Sequence, residues 1–442
     1  MPINDDVNCN DSNNPHFQDV LTEALKDPSR RNMLRGGLGL ASLLALPMLP
    51  GCGGATATNA VSALPAGSIL GFNAVTKSIL DQVVVPAGYS VKVLHATGDR
   101  LVSSIPAYSN TGAETDDWSQ RVGDHHDGMD IYYIDAQGRY TPQATRRAVL
   151  CVNHESSADA HFMHPNGQTT NGVSGKKFDQ FGNWDQGVRP ELEVLKEINH
   201  HGISVVEIVD TPQGWRVKQD SPLNRRLTAQ TPARISGPRV DIDEIRSLMV
   251  TRWDTSGAMS RGTLNNCGHG KTPWGTYLGC EENWAFYFQV TGTGAGLSAK
   301  EVASRKRYGV ATAAPAAGLT KAVGQGWHTV SSSDDRFARW NLAATAASAD
   351  KDFRNEANTF GFIFEIDPLA PDSTPAKRVA MGRFAAQTLL HSTEPLGKLR
   401  GQVHHYQGVP VVVTYPPAYL LRSGQDKGKA WADLCLALDV AQ

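Results

Sequence analysis

The sequence predicts an all-β fold of many short strands joined by tight turns, and three observations carry that expectation. Of 442 residues, 42 are Gly and 24 are Pro, and only 19% are charged, a balance that suits a turn-rich β protein. Short apolar or alternating runs recur along the chain, bounded by Gly, Pro, Asn or Asp. Within the body of the chain one stretch, Glu191–His201, carries a helical pattern. Such strands build a sandwich or a propeller. No exact internal repeat is visible, so periodicity does not choose between them.

Charge and cysteine content narrow the function classes. A formal charge of −2 implies no strongly charged partner and disfavours generic nucleic-acid binding. The six cysteines are Cys9, Cys52, Cys151, Cys267, Cys280 and Cys435. They are too sparse for a disulfide framework, and without a CxxC pair they argue against a zinc ribbon or a four-cysteine iron–sulfur site.

In chain order, residues 1–28 are polar and rich in Asn and Asp, the composition of a disordered segment. Ser29-Arg30-Arg31-Asn32-Met33-Leu34-Arg35 and the apolar run Leu38–Leu49 look like a twin-arginine export signal. The run falls short of the roughly 20 residues that span a bilayer. Leu49-Pro50-Gly51-Cys52 resembles a lipobox with Cys52 as the lipidated residue, cleavage within 53–66 being the alternative, and 53–66 reads as a spacer. Strand signals follow from near Gly71: Tyr89–Leu94, Asp130–Ile134, Ala148–Asn153, and a hairpin of Gly202–Val209 with Trp215–Lys218 across Thr-Pro-Gln-Gly. Phe360–Ile366 is a further strand and stops at Asp367-Pro368.

The chemistry concentrates at strand ends. Gly262–Asn283 pairs an amide-rich loop (Asn265, Asn266, Cys267, His269) with an extended run ending in Glu281-Glu282-Asn283. Acceptor oxygens at a loop rim suit a cation, and a nearby thiolate suits a softer or redox-capable metal such as iron or zinc. An ordinary hairpin with a charged end and a buried Cys is the alternative. Gly123–Gly128 holds two carboxylates and two imidazoles, including His126; Asn153-His154-Glu155 ends another apolar run; Glu365 and Asp367 make a third acidic ending. Each alone reads as a capping carboxylate or a solvated turn. Together with Cys267 they favour a polynuclear metal centre. His161, His164, His200 and His201 take no partner from sequence and read as surface histidines.

Read together, these stretches resemble the PhoX family of bacterial alkaline phosphatases. The match runs in order through the twin-arginine signal, Gly123–Met129, Asn153-His154-Glu155, Ser236-Gly237-Pro238, Gly262–Asn283, Phe360–Pro368, and Ser373–Arg378 into Gly382-Arg383-Phe384. The resemblance implies a six-bladed β-propeller, incomplete here, followed by a short α/β C-terminal tail. It implies Fe(3+) and Ca(2+) at one face, hydrolysis of small phosphate esters, passage through the twin-arginine translocase to the periplasm or beyond, and a monomer with no nucleic-acid partner. By position it implies Cys267 and Glu282 as catalytic residues. Metal ligands would be drawn from Cys267, Glu281, Glu282, Glu365, Asp367 and Glu155, with Asn266 and His126 at the substrate. The expected divisions are 1–66, signal and spacer; 67–384, phosphatase body; and 385–442, tail.

After Gly-Arg-Phe the family carries a basic residue and a His-acid pair; here Ala385, Ala386 and Gln387 stand instead. Val379–Leu390, Leu399–His405, Gly408–Tyr415 and Pro417–Arg422 resemble the end of a bacterial uracil-DNA glycosylase, but Pro416 occupies the place of its histidine. The resemblances together imply a phosphatase whose last blades are replaced, leaving open strand edges and inactivity as one outcome. A glycosylase-related fragment and a non-enzymatic propeller that binds a partner stay as alternatives.

Overall fold

The computed structural model describes residues 74–156, 163–164, 167–169, 187–237, 243–272, 274–312, 325–378, 390, 392, 394–406, 409–415, 420 and 423–440. The twin-arginine stretch, the apolar run Leu38–Leu49, Cys52, His161, Pro273, Gly382-Arg383-Phe384, Ala385–Gln387 and Pro416 lie outside them. The chain divides into two compact units, Val93–Thr393 and a second made of Met1–Lys92 with Glu394–Gln442.

The first unit is built on two six-stranded sheets. Strands β1 (His126–Ile134), β2 (Tyr140–Thr141), β3 (Arg147–His154), β4 (Gly202–Thr211) and β5 (Gly214–Val217) lie in the order β2-β1-β3-β4-β5, with β6 (Arg225–Leu227) also on β4. The second sheet takes β7 (Pro232–Ser236), β8 (Met259–Arg261), β9 (Asn266–Lys271), β10 (Tyr277–Glu281), β11 (Ile363–Ile366) and β12 (Ala376–Arg378) in the order β8-β7-β12-β11-β10-β9. Its β7–β12 pair is parallel and its other pairs are antiparallel. The two sheets share one core: Tyr132, Val149, Cys151, Ile203 and Val205 of the first meet Ala233, Tyr277, Phe364 and Ile366 of the second. On the other face of the first sheet, Ala148, Leu150, Val152, Val206 and Ile208 pack with Leu101 and Val122. Strand β3 is therefore covered on both sides, which explains its unbroken apolar run.

Helices supply the third layer. Helix α1 (Glu191–His200) buries Val194, Leu195 and Ile198 against Trp327, Phe337, Trp340 and Phe360. Helix α2 (Ala299–Tyr308) starts at a reciprocal cap between Ser298 and Glu301 and stops at left-handed Gly309.

The all-β propeller expectation is thus corrected. The sheets are open, and the fold is mixed α/β with dispersed helices. A propeller blade is a short sheet closed against its neighbours around a channel. Here β12 returns beside β7 from far along the chain, and the intervening segment forms α2, several 3₁₀ turns and an aromatic core. Gly/Pro-punctuated strands are common to propellers, sandwiches and mixed folds, so strand pattern alone did not separate them.

In the second unit, β13 (Val403–Tyr406) pairs with β14 (Val409–Val412), and α3 spans Lys427–Val440. The stripe Ala430, Trp431, Leu434, Leu438 is only partly used. Ala430 and Asp433 are buried, while Leu434 and Leu438 are exposed. Asp433 is held by Arg400 at 2.9 Å.

Candidate metal centre

Strands β1 and β3 pair with His126 opposite His154, but the register slips between His126 and Met129, so β1 carries one extra residue there. Strands β9 and β10 repeat the feature: Gly279 lies opposite His269 and Glu281 opposite Asn266, which places Cys267 and Gly268 in a bulge. Bulges re-aim side chains and occur beside functional sites. Three non-glycine residues with left-handed backbones flank these ends: His125 (φ 46°), Asn265 (φ 49°) and Asn283 (φ 45°). Such conformations persist where surrounding contacts enforce them. Here the main-chain N–H of Glu155 donates to His125 O (3.0 Å), that of Glu282 to Asn265 O (3.0 Å), and Asn265 Nδ2 to Glu155 O (2.8 Å).

The two sheets are stapled at the same place. Asn153 Nδ2 donates to the carbonyls of Cys267 (2.9 Å) and Gly268 (3.0 Å), and its Oδ1 lies 2.8 Å from the Tyr277 hydroxyl. Gly128 allows the close approach: a Cβ there would stand 2.7 Å from the Cys267 carbonyl oxygen. Gly279 serves similarly, since its Cβ would meet Ile203 at 2.9 Å and Asn153 at 3.0 Å.

This framework brings Asp127, Glu155 and Cys267 together, with one donor atom of each within 4.8 Å of the others. Among the described residues, neither Glu155 nor Glu282 has a Lys or Arg partner. Burial, with the charges of Asp127 and Glu282, pushes the Glu155 carboxyl up. A hydrogen bond to Asp127, with burial and the nearby carboxylates, pushes the Cys267 thiol up to about 12. Carboxylates held in mutual repulsion beside one sulfur fit a multivalent cation, whose charge would relieve the repulsion and deprotonate the thiol.

The other expected residues lie elsewhere or are already paired. Glu281 is buried, 2.8 Å from Lys377 Nζ, and accepts from the N–H groups of Gly361 (2.8 Å) and Phe362 (3.1 Å). Glu365 sits opposite Leu278, toward the other end of β10, bound by Arg378, Thr276 (2.7 Å) and Trp274 (3.3 Å). Asp367 accepts from the Leu369 N–H at 2.9 Å in the following turn. Asn266 is fully buried, its amide 2.8 Å from Thr263 Oγ1. His126 belongs to a neighbouring imidazole group with His95 and His154.

Asp127 and His154 lie within the motifs seen in the sequence but outside its candidate ligands, and His95 lies outside those motifs altogether. The available signal for His95 was its place directly after the alternating run Tyr89–Leu94. Nothing local marks Asp127 over Asp124, because a bulge decides which faces the thiol. His164, His200 and His201 are buried, against the surface expectation. His164 lies 3.0 Å from Glu197, and His201 Nε2 lies 2.9 Å from the Tyr287 hydroxyl.

The family model described as alkaline phosphatase PhoX matches residues 70–393. A solved structure, "Pseudomonas fluorescens PhoX in complex with vanadate, a transition state analogue", is similar at 30% identity and a TM-score of 0.52. The similarity covers 71% of this chain and 45% of that one, so this chain spans under half the length of the solved relative. No curated protein matches the chain. With the family model covering well over half of its length, this chain belongs to the PhoX family of alkaline phosphatases.

Proposed function

We propose that the chain carries the metal centre of a PhoX-type phosphomonoesterase, acting on small phosphate esters. The observation that carries this is the convergence of Asp127, Glu155 and Cys267 at bulged strand ends in a chain of that family. A vanadate complex of a similar protein supports the substrate class. Cys267, Glu155 and Asp127 would hold the metals, with Glu282 beside them. Iron suits the sulfur-bearing position and calcium an all-oxygen one. Bound cations would supply neutralisation of the phosphoryl oxygens as negative charge shifts during transfer.

The chain's own residues set the geometry. Asn153 and Tyr277 fix the Cys267 backbone to the first sheet, and Asn265 ties Glu155 and Glu282 to one turn. We assign Cys267 and Glu282 the catalytic places, and Glu281, Glu365 and Asp367 the frame that holds them.

The twin-arginine stretch supports export by that translocase, to the periplasm or as a lipoprotein through Cys52, and the near-neutral charge gives no support to a nucleic-acid partner. Among the described residues no helix is long and apolar enough to cross a membrane. The family match ends at residue 393. The glycosylase likeness of the tail finds no support in the comparisons and takes no role in this reading.

The test is p-nitrophenyl phosphate hydrolysis at alkaline pH with added calcium, with iron and calcium quantified on the same sample and Cys267→Ala as control. Calcium-dependent turnover with bound iron, both lost in the control, is expected. A folded chain with neither would overturn the proposal.

A further inference from the structure

The carboxylate and thiol cluster has a neighbour of different chemistry on the other face of the same strands. Consecutive residues of a strand point to opposite faces. At the end of β3, Asn153 and, one residue past the strand, Glu155 turn toward the second sheet, where Asn153 meets Cys267 and Tyr277 and Glu155 joins Cys267. His154 turns the other way, to the face of Val152, where its Nε2 meets Ser204 Oγ of β4. The bulge in β1 sets His126 opposite His154, so the imidazole of His126 joins that of His154 while Asp127 joins Glu155. His95 completes the group: one nitrogen from each of the three rings lies within 4.8 Å of the others. The ring centroids stand 5.0 to 6.3 Å apart.

We propose that His95, His126 and His154 form a second metal site, one that takes a borderline divalent ion of the zinc class. Three imidazoles with room for one further ligand are a donor set that zinc accepts and that calcium, an oxygen-seeking ion, does not. The hydrogen bonding of the ring deepest in the protein points the same way. His154 is fully buried, its Nε2 is 2.9 Å from Ser204 Oγ, and its Nδ1 has no hydrogen-bond partner. Ser204 Oγ also lies 2.8 Å from His95 Nε2. The Ser204 hydroxyl has two lone pairs and a single proton, so it can accept an N–H from both rings but can donate to only one of them. Whichever role His154 takes, a polar atom of a buried ring is left over. Coordination through one nitrogen while the other donates to a hydroxyl satisfies both, the usual outer arrangement of a metal-bound histidine.

Arg226, a half-buried cation nearby, does not occupy the rings. Its guanidinium is directed at the carbonyls of Arg121, Asn199 (3.0 Å) and His201 (2.9 Å). His95 also lines a cavity of about 370 Å³ with Leu94, Asp99, Arg100 and Tyr108, which brings open space to the edge of the triad.

The test uses the full chain, stripped with a chelator and titrated with zinc alone. Cys267→Ala should keep a zinc equivalent that His95→Gln and His154→Gln each lose. Ser204→Ala, which keeps three ligands and removes the outer hydrogen bond, should lower the affinity of that equivalent about 10–100-fold. X-ray absorption on the unsubstituted protein should count three imidazoles per chain, and it decides the matter if a histidine variant fails to fold. Zinc bound by sulfur and oxygen only, or uptake unchanged in both histidine variants, would overturn the proposal. Neither outcome depends on phosphatase turnover, so the two proposals fail separately.

Discussion

Four glutamates at three strand ends look alike in the sequence, and the structure sorts them into two kinds. At Glu281 and Glu365 the negative charge is already answered, by Lys377 and by Arg378. At Glu155 and Glu282 no Lys or Arg among the described residues does so, and Asp127 adds a further carboxylate. The first pair behave as framework. The second are carboxylates held close to one another by backbone contacts, an arrangement stable only at a cost unless a cation joins them. Proximity in sequence does not predict the kind: Glu281 and Glu282 are adjacent, yet one is sealed beneath Phe360 with Lys377 and the other is exposed at the rim.

The sharpest way to break the comparison is to remove a framework cation. Lys377 is fully buried, 3.8 Å from the Phe360 ring centre, and burial pulls its ammonium down to about 8 even beside Glu281. Lys377→Met should strand Glu281 and destabilise the protein by about 3–5 kcal/mol, read as a fall in the urea midpoint. The double change Lys377→Met with Glu281→Gln should recover part of this, because Gln has no charge and still accepts from Gly361 and Phe362. A single variant as stable as the parent would show that Glu281 is not framework.

The converse substitutions should separate stability from function. Glu155→Gln should cut metal uptake and phosphate-ester turnover by about 100-fold or more, and in the metal-free chain it should raise stability by relieving repulsion. Glu365→Gln should lower stability and leave the metal count unchanged. Parallel behaviour of the two would erase the distinction. Gly128→Ala acts on geometry alone: its Cβ would press on the Cys267 carbonyl at 2.7 Å, so a loss of about 1–3 kcal/mol is expected, with weaker metal binding although no ligand has changed.

How much of this the sequence carried depended on what each feature needed to be visible. The strand ends were legible because apolar runs stopping at acidic residues need only local pattern. Cys267 and Glu155 stood out for the same reason. The pairing of Glu281 with Lys377 was not legible, because β10 and β12 flank β11 in the sheet although they lie far apart along the chain. Asp127 could not be singled out, nor its neighbour His126 set apart from it, because a single extra residue in β1 decides which face each occupies, and no propensity announces a bulge. The propeller failed on a similar ground: strand content was read locally, whereas the parallel β7–β12 pair and the aromatic core of residues 284–360 are tertiary facts.

The smallest expected effect is a difference in acid response, and it tests the comparison by sign. Glu365 has its pKa held below the ordinary 4.5 by Thr276 and Arg378, against the opposing pull of burial. Its contribution to stability is present above 4.5 and lost as pH falls through its folded value. Glu155 is shifted the other way, chiefly by burial and by Asp127. In the metal-free chain the folded form then binds more protons than the unfolded form, so stability declines as pH rises from 4.5 through the raised value. Glu365→Gln should therefore flatten the acid limb below 4.5, and Glu155→Gln should remove a shallow decline above it. Denaturation midpoints of the chelator-treated protein between pH 3 and pH 7 would read both. Adding the metal should abolish the Glu155 decline in the parent, because a bound cation replaces the repulsion that produces it, and should leave the Glu365 limb in place. Identical slopes in the two variants would mean that Glu155 is solvated like any surface carboxylate, and the division between answered and unanswered strand ends would fall.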